Sequence, residues 1–136
     1  MPPLRILIAD DHELFAETLG LVLDLDDRID VVGSACNGNE AVRLALEVEP
    51  DAVLMDLEMP LLDGLQATRL LGRLLPSCPV VVLTASPLPE DALRARSAGA
   101  AGYLTKGCSA DDVVDALYDA AGREVLQSDL IRAHCV

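Results

Sequence analysis

The chain has 136 residues and a formal net charge of −13, from 23 acidic and 10 basic side chains. That length makes one domain, able to bury about two-thirds of the surface its unfolded form exposes, and that charge repels phosphate backbones and anionic lipid, which argues against direct nucleic-acid or membrane binding. Hydrophobic residues make up 51% of the sequence and aromatics only 2%, so the core has to be built from Leu, Val, Ile and Ala in packed layers of strand and helix.

The opening segment Met1-Pro2-Pro3-Leu4-Arg5 leads through a short apolar run into Asp10-Asp11, too short a stretch for a signal peptide. Nothing approaches the roughly 20 apolar residues of a membrane-spanning helix. Hydrophobic runs of strand length recur at Leu4 to Ala9, Asp30 to Ala35, Ala52 to Met55, Val80 to Leu83 and Ala101 to Leu104. Most are continuous and β-branched, as strands buried on both faces of a parallel sheet are.

Between the first two runs, Phe15, Leu19, Val22 and Leu25 recur every three or four residues and predict an amphipathic helix; Ala41, Leu44, Ala45 and Val48 predict a second. Asp63 reads as the N-cap of a third helix carrying Leu65, Thr68, Leu71 and Leu75. Pro89 stands where a short fourth helix starts and Gly99 where it stops. Ser109 precedes a fifth, with Asp111 and Asp112 in the first turn, an apolar set of Val113, Val114, Leu117 and Ala121, and Gly122 just past the end.

This alternation predicts the α/β class: a (βα)5 unit folded as a doubly wound parallel sheet over residues 1–122. Residues 123–136 show no clear period and mixed charge, and read as an extension or the start of an interdomain linker. Cys36, Cys78, Cys108 and Cys135 have no Cys-x-x-Cys spacing, which points to small apolar fillers in a reduced, cytoplasmic protein rather than to zinc or redox chemistry.

Ligands of an open parallel sheet bind beyond the carboxyl ends of its strands. Those ends are polar here: Asp10-Asp11 after the first run, Asp56 after the third, Thr84 after the fourth and Lys106 after the fifth. Three converging carboxylates repel one another, and the natural compensation is a hard divalent cation with oxygen ligands, Mg²⁺ rather than Zn²⁺, with no His or Cys ligand expected. Mg²⁺ favours phosphate oxygens as further ligands, Lys106 and Thr84 can serve a phosphoryl group, and an Asp beside the cation can act as nucleophile. Taken singly, each residue has a plainer explanation, since an Asp after a strand is commonly a turn or cap residue and Asp11 could be one. The joint occurrence at four strand ends is what favours a Mg²⁺-phosphoryl site.

The span from Leu4 to about Ala121 resembles a response-regulator receiver domain of the CheY-like type. The resemblance rests on Ile6-Leu7-Ile8-Ala9-Asp10-Asp11-His12, Val53-Leu54-Met55-Asp56-Leu57-Glu58-Met59-Pro60, Asp63-Gly64, Val82-Leu83-Thr84-Ala85 and Gly102-Tyr103-Leu104-Thr105-Lys106, all in the family's order and spacing. It implies a flavodoxin-like sheet of order 2-1-3-4-5, with Asp56 phosphorylated by a partner sensor histidine kinase. Asp10, Asp11, Asp56 and the Glu58 backbone carbonyl are then the Mg²⁺ ligands, Thr84 and Lys106 contact the phosphoryl group, and Thr84 with Tyr103 forms the switch.

Ala9-Asp10-Asp11-His12-Glu13-Leu14-Phe15, Val31-Val32-Gly33 and Ala98-Gly99-Ala100-Ala101-Gly102-Tyr103-Leu104 are most similar to the NarL/LuxR-type subfamily. That similarity implies a signalling phospho-acceptor rather than an enzyme with turnover, phosphorylation-dependent homodimerisation, and DNA contact only through a C-terminal helix-turn-helix domain absent from this chain. Three positions depart from the common pattern. Gly107 follows Lys106 where many receivers have Pro, Leu61 replaces a frequent Gly, and Ser86-Pro87-Leu88-Pro89 puts two prolines in the switch loop. Two other readings stay open on the sequence: an interaction module that works unphosphorylated, and a Mg²⁺-dependent phosphohydrolase of the haloacid dehalogenase type, whose paired Asp spacing is poorly matched by adjacent Asp10-Asp11.

Overall fold

Side chains alternate along the strands and feed two cores, one on each face of a five-stranded parallel sheet. The computed structural model describes residues 2–85 and 88–122. β1 (Leu4–Ala9), β2 (Ile29–Ala35), β3 (Ala52–Met55), β4 (Val80–Thr84) and β5 (Gly102–Thr105) lie in the order β2-β1-β3-β4-β5. The expected (βα)5 class and strand order are therefore both observed.

Leu4, Ile6, Ile8, Leu54, Val81 and Leu104 face α1 (Glu13–Asp24) and α5 (Ala110–Ala120). Their neighbours in sequence, among them Leu7, Val53, Met55, Val82 and Tyr103, face α2 (Gly38–Val48), α3 (Gly64–Leu74) and α4 (Pro89–Ser97). β3 and β4 are buried throughout, which explains their unbroken apolar runs. β4 and β5 each run one residue past their apolar stretch, and Thr84 pairs with Thr105 on the last rung. Backbone pairing thus carries two hydroxyl residues to the sheet edge.

The predicted helix caps are present. Asp63 accepts from the Gln66 N–H and Ser109 from the Asp112 N–H, each closing a reciprocal capping box. Gly99 ends α4 with φ at +103°. The apolar stripe of α1 is a correction: Phe15 and Leu19 pack partly into the core, but Val22 and Leu25 are exposed, and Ala16 and Leu23 take the buried positions. The face toward the sheet includes the small residues Ala16 and Gly20, where a Cβ on Gly20 would lie 3.8 Å from the Ile8 side chain.

The cysteine expectation holds for Cys78, which is buried, but Cys36 is exposed, Cys108 is half-buried and Cys135 lies outside the described residues. All peptide bonds of the described residues are trans, including that between Lys106 and Gly107. Ser86, Pro87 and the segment 123–136 lie outside the description too.

The β3–α3 connection folds tightly back over the end of β3. The Gly64 N–H donates to the Leu57 carbonyl at 2.9 Å, and a Cβ on Gly64 would run into the Asp56 carbonyl, so only glycine fits there. Leu61 sits in the same connection with φ at +69°, a left-handed conformation that glycine adopts freely. Leu61 is exposed, whereas Leu62 packs against the core beside Gly38.

Candidate functional site

The strand ladders deliver the polar residues to one edge. The Asp10 N–H donates to the Ala35 carbonyl at 3.0 Å, the Asp56 N–H to Ala9 at 2.9 Å and the Lys106 N–H to Thr84 at 2.7 Å, each just beyond a strand end. Asp10, Asp56 and Thr84 are 3–4% exposed, while Asp11 stands at the rim and the Glu58 side chain points outward into solvent. Glu58 reaches the site through its backbone N–H, which donates to the Asp56 carboxylate.

Lys106 lies between the two buried acids. Its Nζ is 2.7 Å from Asp10 Oδ2 and 3.6 Å from Asp56 Oδ2. Burial, followed by the charge of Asp10, pushes the Asp56 carboxyl up to about 6, with Lys106 pulling the other way and Asp11 adding to the rise. Asp56 Oδ2 is buried without a hydrogen bond, an arrangement that costs the fold stability unless another group meets that oxygen.

His12, its side chain 65% exposed, turns one ring nitrogen toward the cluster. Its N–H donates to Asp10 Oδ1 at 2.9 Å in a turn that brings the ring back over the strand end. Nδ1 then lies 3.1 Å from Asp10, 3.4 Å from Asp11 and 3.8 Å from Asp56. The sequence signal was adjacency to Asp10-Asp11, which does not by itself say that a ring nitrogen faces the carboxylates. Donor atoms of Asp10, Asp11, His12 and Asp56 all lie within 4.8 Å of one another. Three carboxylates, one of them Asp56 with its Oδ2 buried and unsatisfied, are a donor set that fits a hard divalent cation.

Tyr103 is 9% exposed and belongs to the core beneath α4, with Ala95 and Ala98. Burial, with a smaller contribution from Asp91, raises its phenol above the ordinary tyrosine range. Phe15 is a second residue that spacing alone did not single out for the site. Its ring lies under the Lys106 ammonium, 4.5 Å from Nζ to the ring centre.

Residues 6–118 match the family described as the response regulator receiver domain. The chain belongs to that family. This receiver is 41% identical over 114 residues to the transcriptional regulatory protein LnrK of Bacillus subtilis (strain 168), covering 84% of this chain and 52% of LnrK. It is 40% identical to the response regulator GacA of Pseudomonas aeruginosa, covering 84% and 53%. The receiver thus spans about half the length of the curated relatives it matches. Among solved structures it is similar to the signal receiver domain of a protein named NarL from Mycobacterium tuberculosis, with a TM-score of 0.86 at 31% identity, covering 91% of this chain and all 100% of that one. It is also similar to a LuxR-family two-component response regulator from Aurantimonas sp., with a TM-score of 0.82 at 31% identity, covering 96% and 94%. The NarL/LuxR-type resemblance is borne out, and this is a receiver domain of a two-component response regulator.

Proposed function

We propose that Asp56 is the phospho-acceptor of this receiver. A carboxylate oxygen attacks the phosphorus of a phosphohistidine on a partner sensor histidine kinase, the P–N bond breaks, and the leaving imidazole takes a proton. The observation that carries this reading is Asp56 Oδ2, buried at the sheet edge without a hydrogen bond and facing Lys106. Because its carboxyl titrates at about 6, the nucleophile is largely ionised at neutral pH.

In this reading Asp10, Asp11, Asp56 and the Glu58 carbonyl hold Mg²⁺, which when bound shields the negative charge gathered at the site. Lys106 and the Thr84 hydroxyl take phosphoryl oxygens. Withdrawal of the Thr84 loop toward the phosphoryl group changes the space into which Tyr103 packs, so a local charge event biases the α4–β5 face. The chain is a cytoplasmic signalling acceptor rather than an enzyme with turnover, apart from taking phosphate from small donors and losing it again.

The half-length coverage of regulators described as transcriptional supports an output helix-turn-helix domain C-terminal to the receiver, with residues 123–136 as the start of the linker. DNA is contacted through that domain, and phosphorylation favours homodimerisation. Acetyl phosphate with Mg²⁺ should add one phosphate, read by intact-mass spectrometry, and Asp56→Asn should abolish the addition. Undiminished labelling of Asp56→Asn refutes the assignment, and no labelling of the parent favours an interaction module that works unphosphorylated.

A further inference from the structure

Lys106 is the chain's only lysine and Phe15 its only phenylalanine, and the two are in contact. The Lys106 side chain is 12% exposed, and its ammonium has three kinds of neighbour: the carboxylates Asp10 Oδ2 at 2.7 Å and Asp56 Oδ2 at 3.6 Å, the imidazole His12 Nδ1 at 3.4 Å, and the Phe15 ring centre at 4.5 Å. The first two are polar groups of the pocket. The third comes from α1 and belongs to the wall of a groove of about 280 Å³ lined by Phe15, Leu19, Leu83, Lys106, Cys108 and Val113.

An aromatic face attracts a cation through its quadrupole, within about 6 Å of the ring centre, and most strongly where water is excluded. It neither accepts a proton nor makes a directed hydrogen bond that a phosphoryl oxygen would have to break. A ring at this position therefore keeps the ammonium at the pocket while leaving its N–H groups available to exchange partners. The backbone fixes where Lys106 leaves β5, through its N–H to the Thr84 carbonyl at 2.7 Å, but not where the long side chain carries its ammonium.

We propose that Phe15 is a positioning residue for Lys106: its ring holds the ammonium at the mouth of the acidic pocket and so sets the rate at which Asp56 gains a phosphoryl group. This rests on the reading of Asp56 as phospho-acceptor. In this role the ring acts through Lys106, whose ammonium it contacts.

The test compares Phe15→Leu and Phe15→Met, which keep apolar volume without a π face, with Phe15→Tyr, which keeps the face. Acetyl phosphate labelling with Mg²⁺ is followed by intact-mass spectrometry, well below each variant's melting temperature. Phosphorylation should slow by roughly threefold to tenfold in the two aliphatic variants and stay within about twofold in Phe15→Tyr, as expected for a partly desolvated cation–π contact. Lysine labelled with ¹³C at the ε-carbon alone gives one side-chain carbon signal, because there is one lysine. In the parent and Phe15→Tyr that signal should carry the displacement an aromatic ring imposes on protons above its face, and in both aliphatic variants it should lose it. Equal rates across all four proteins, with the parent labelled, overturn the inference while leaving Asp56 as acceptor. Failure of the parent to take phosphate removes the functional reading and the inference with it. A lysine signal unchanged in the aliphatic variants overturns the contact directly.

Discussion

Lys106 Nζ is hydrogen-bonded to Asp10 at 2.7 Å but stands 3.6 Å from Asp56, so the ammonium is held by the neighbour of the proposed acceptor rather than by the acceptor itself. Two buried carboxylates share one half-buried cation, with Asp11 adding negative charge at the rim. The pocket is therefore stabilised by anything that removes one of those charges or supplies a positive one, and stability becomes a readout of its electrostatics.

Asp56 holds its proton more tightly in the folded chain, at about 6, than in the unfolded chain, near 3.8. A raised carboxyl makes no demand on stability below the unfolded value; the cost develops as pH rises from about 4 to 6 and is complete above that, on the order of 3 kcal/mol. Asp56→Asn should consequently be more stable than the parent by about 1–3 kcal/mol at pH 8, with the difference fading as pH falls toward 4. Urea denaturation of both proteins across that range measures it. A difference independent of pH would show that Asp56 is not strained by its charge.

Millimolar Mg²⁺ should raise the melting temperature by several degrees, since a ligand at a hundredfold excess over its Kd adds about 2.7 kcal/mol to a fold that alone binds it. Asp11→Ala removes a rim carboxylate that acts on Asp56, so without metal this variant should melt at or above the parent, yet respond weakly to Mg²⁺. Matched ionic strength in monovalent salt controls for screening. Equal Mg²⁺ shifts in the two proteins would remove Asp11 from the proposed metal site.

Leu61 holds φ at +69° with its side chain 79% exposed, so its conformation is strained and its side chain contributes little burial. A non-glycine residue there costs about 1–2 kcal/mol, offset in part by the extra freedom glycine gives the unfolded chain. Leu61→Gly should be more stable than Leu61→Ala by about 1 kcal/mol, the reverse of the order seen in helix or strand interiors. Thermal denaturation of the pair decides; alanine at or above glycine would contradict the left-handed turn.

Much of the site was legible in the sequence because its residues sit at strand ends, and strand ends follow from local hydrophobic pattern. β1 and β3 have the bounds of their apolar runs, and Asp63 and Ser109 cap the helices they were expected to cap. Asp10, Asp56, Thr84 and Lys106 reach one edge because parallel pairing aligns the ends of β1, β3, β4 and β5. Local pattern cannot choose among rotations of a helix whose apolar residues run most of the way round, and α1 turned so that Ala16 and Leu23, rather than Val22 and Leu25, face the sheet. That rotation decides which α1 side chain meets Lys106. The sharing of Lys106 between Asp10 and Asp56 and the ring of Phe15 beneath the ammonium depend on contacts across the fold. Their physical origin is packing and charge among groups that spacing along the chain does not relate, so only the tertiary structure could place them.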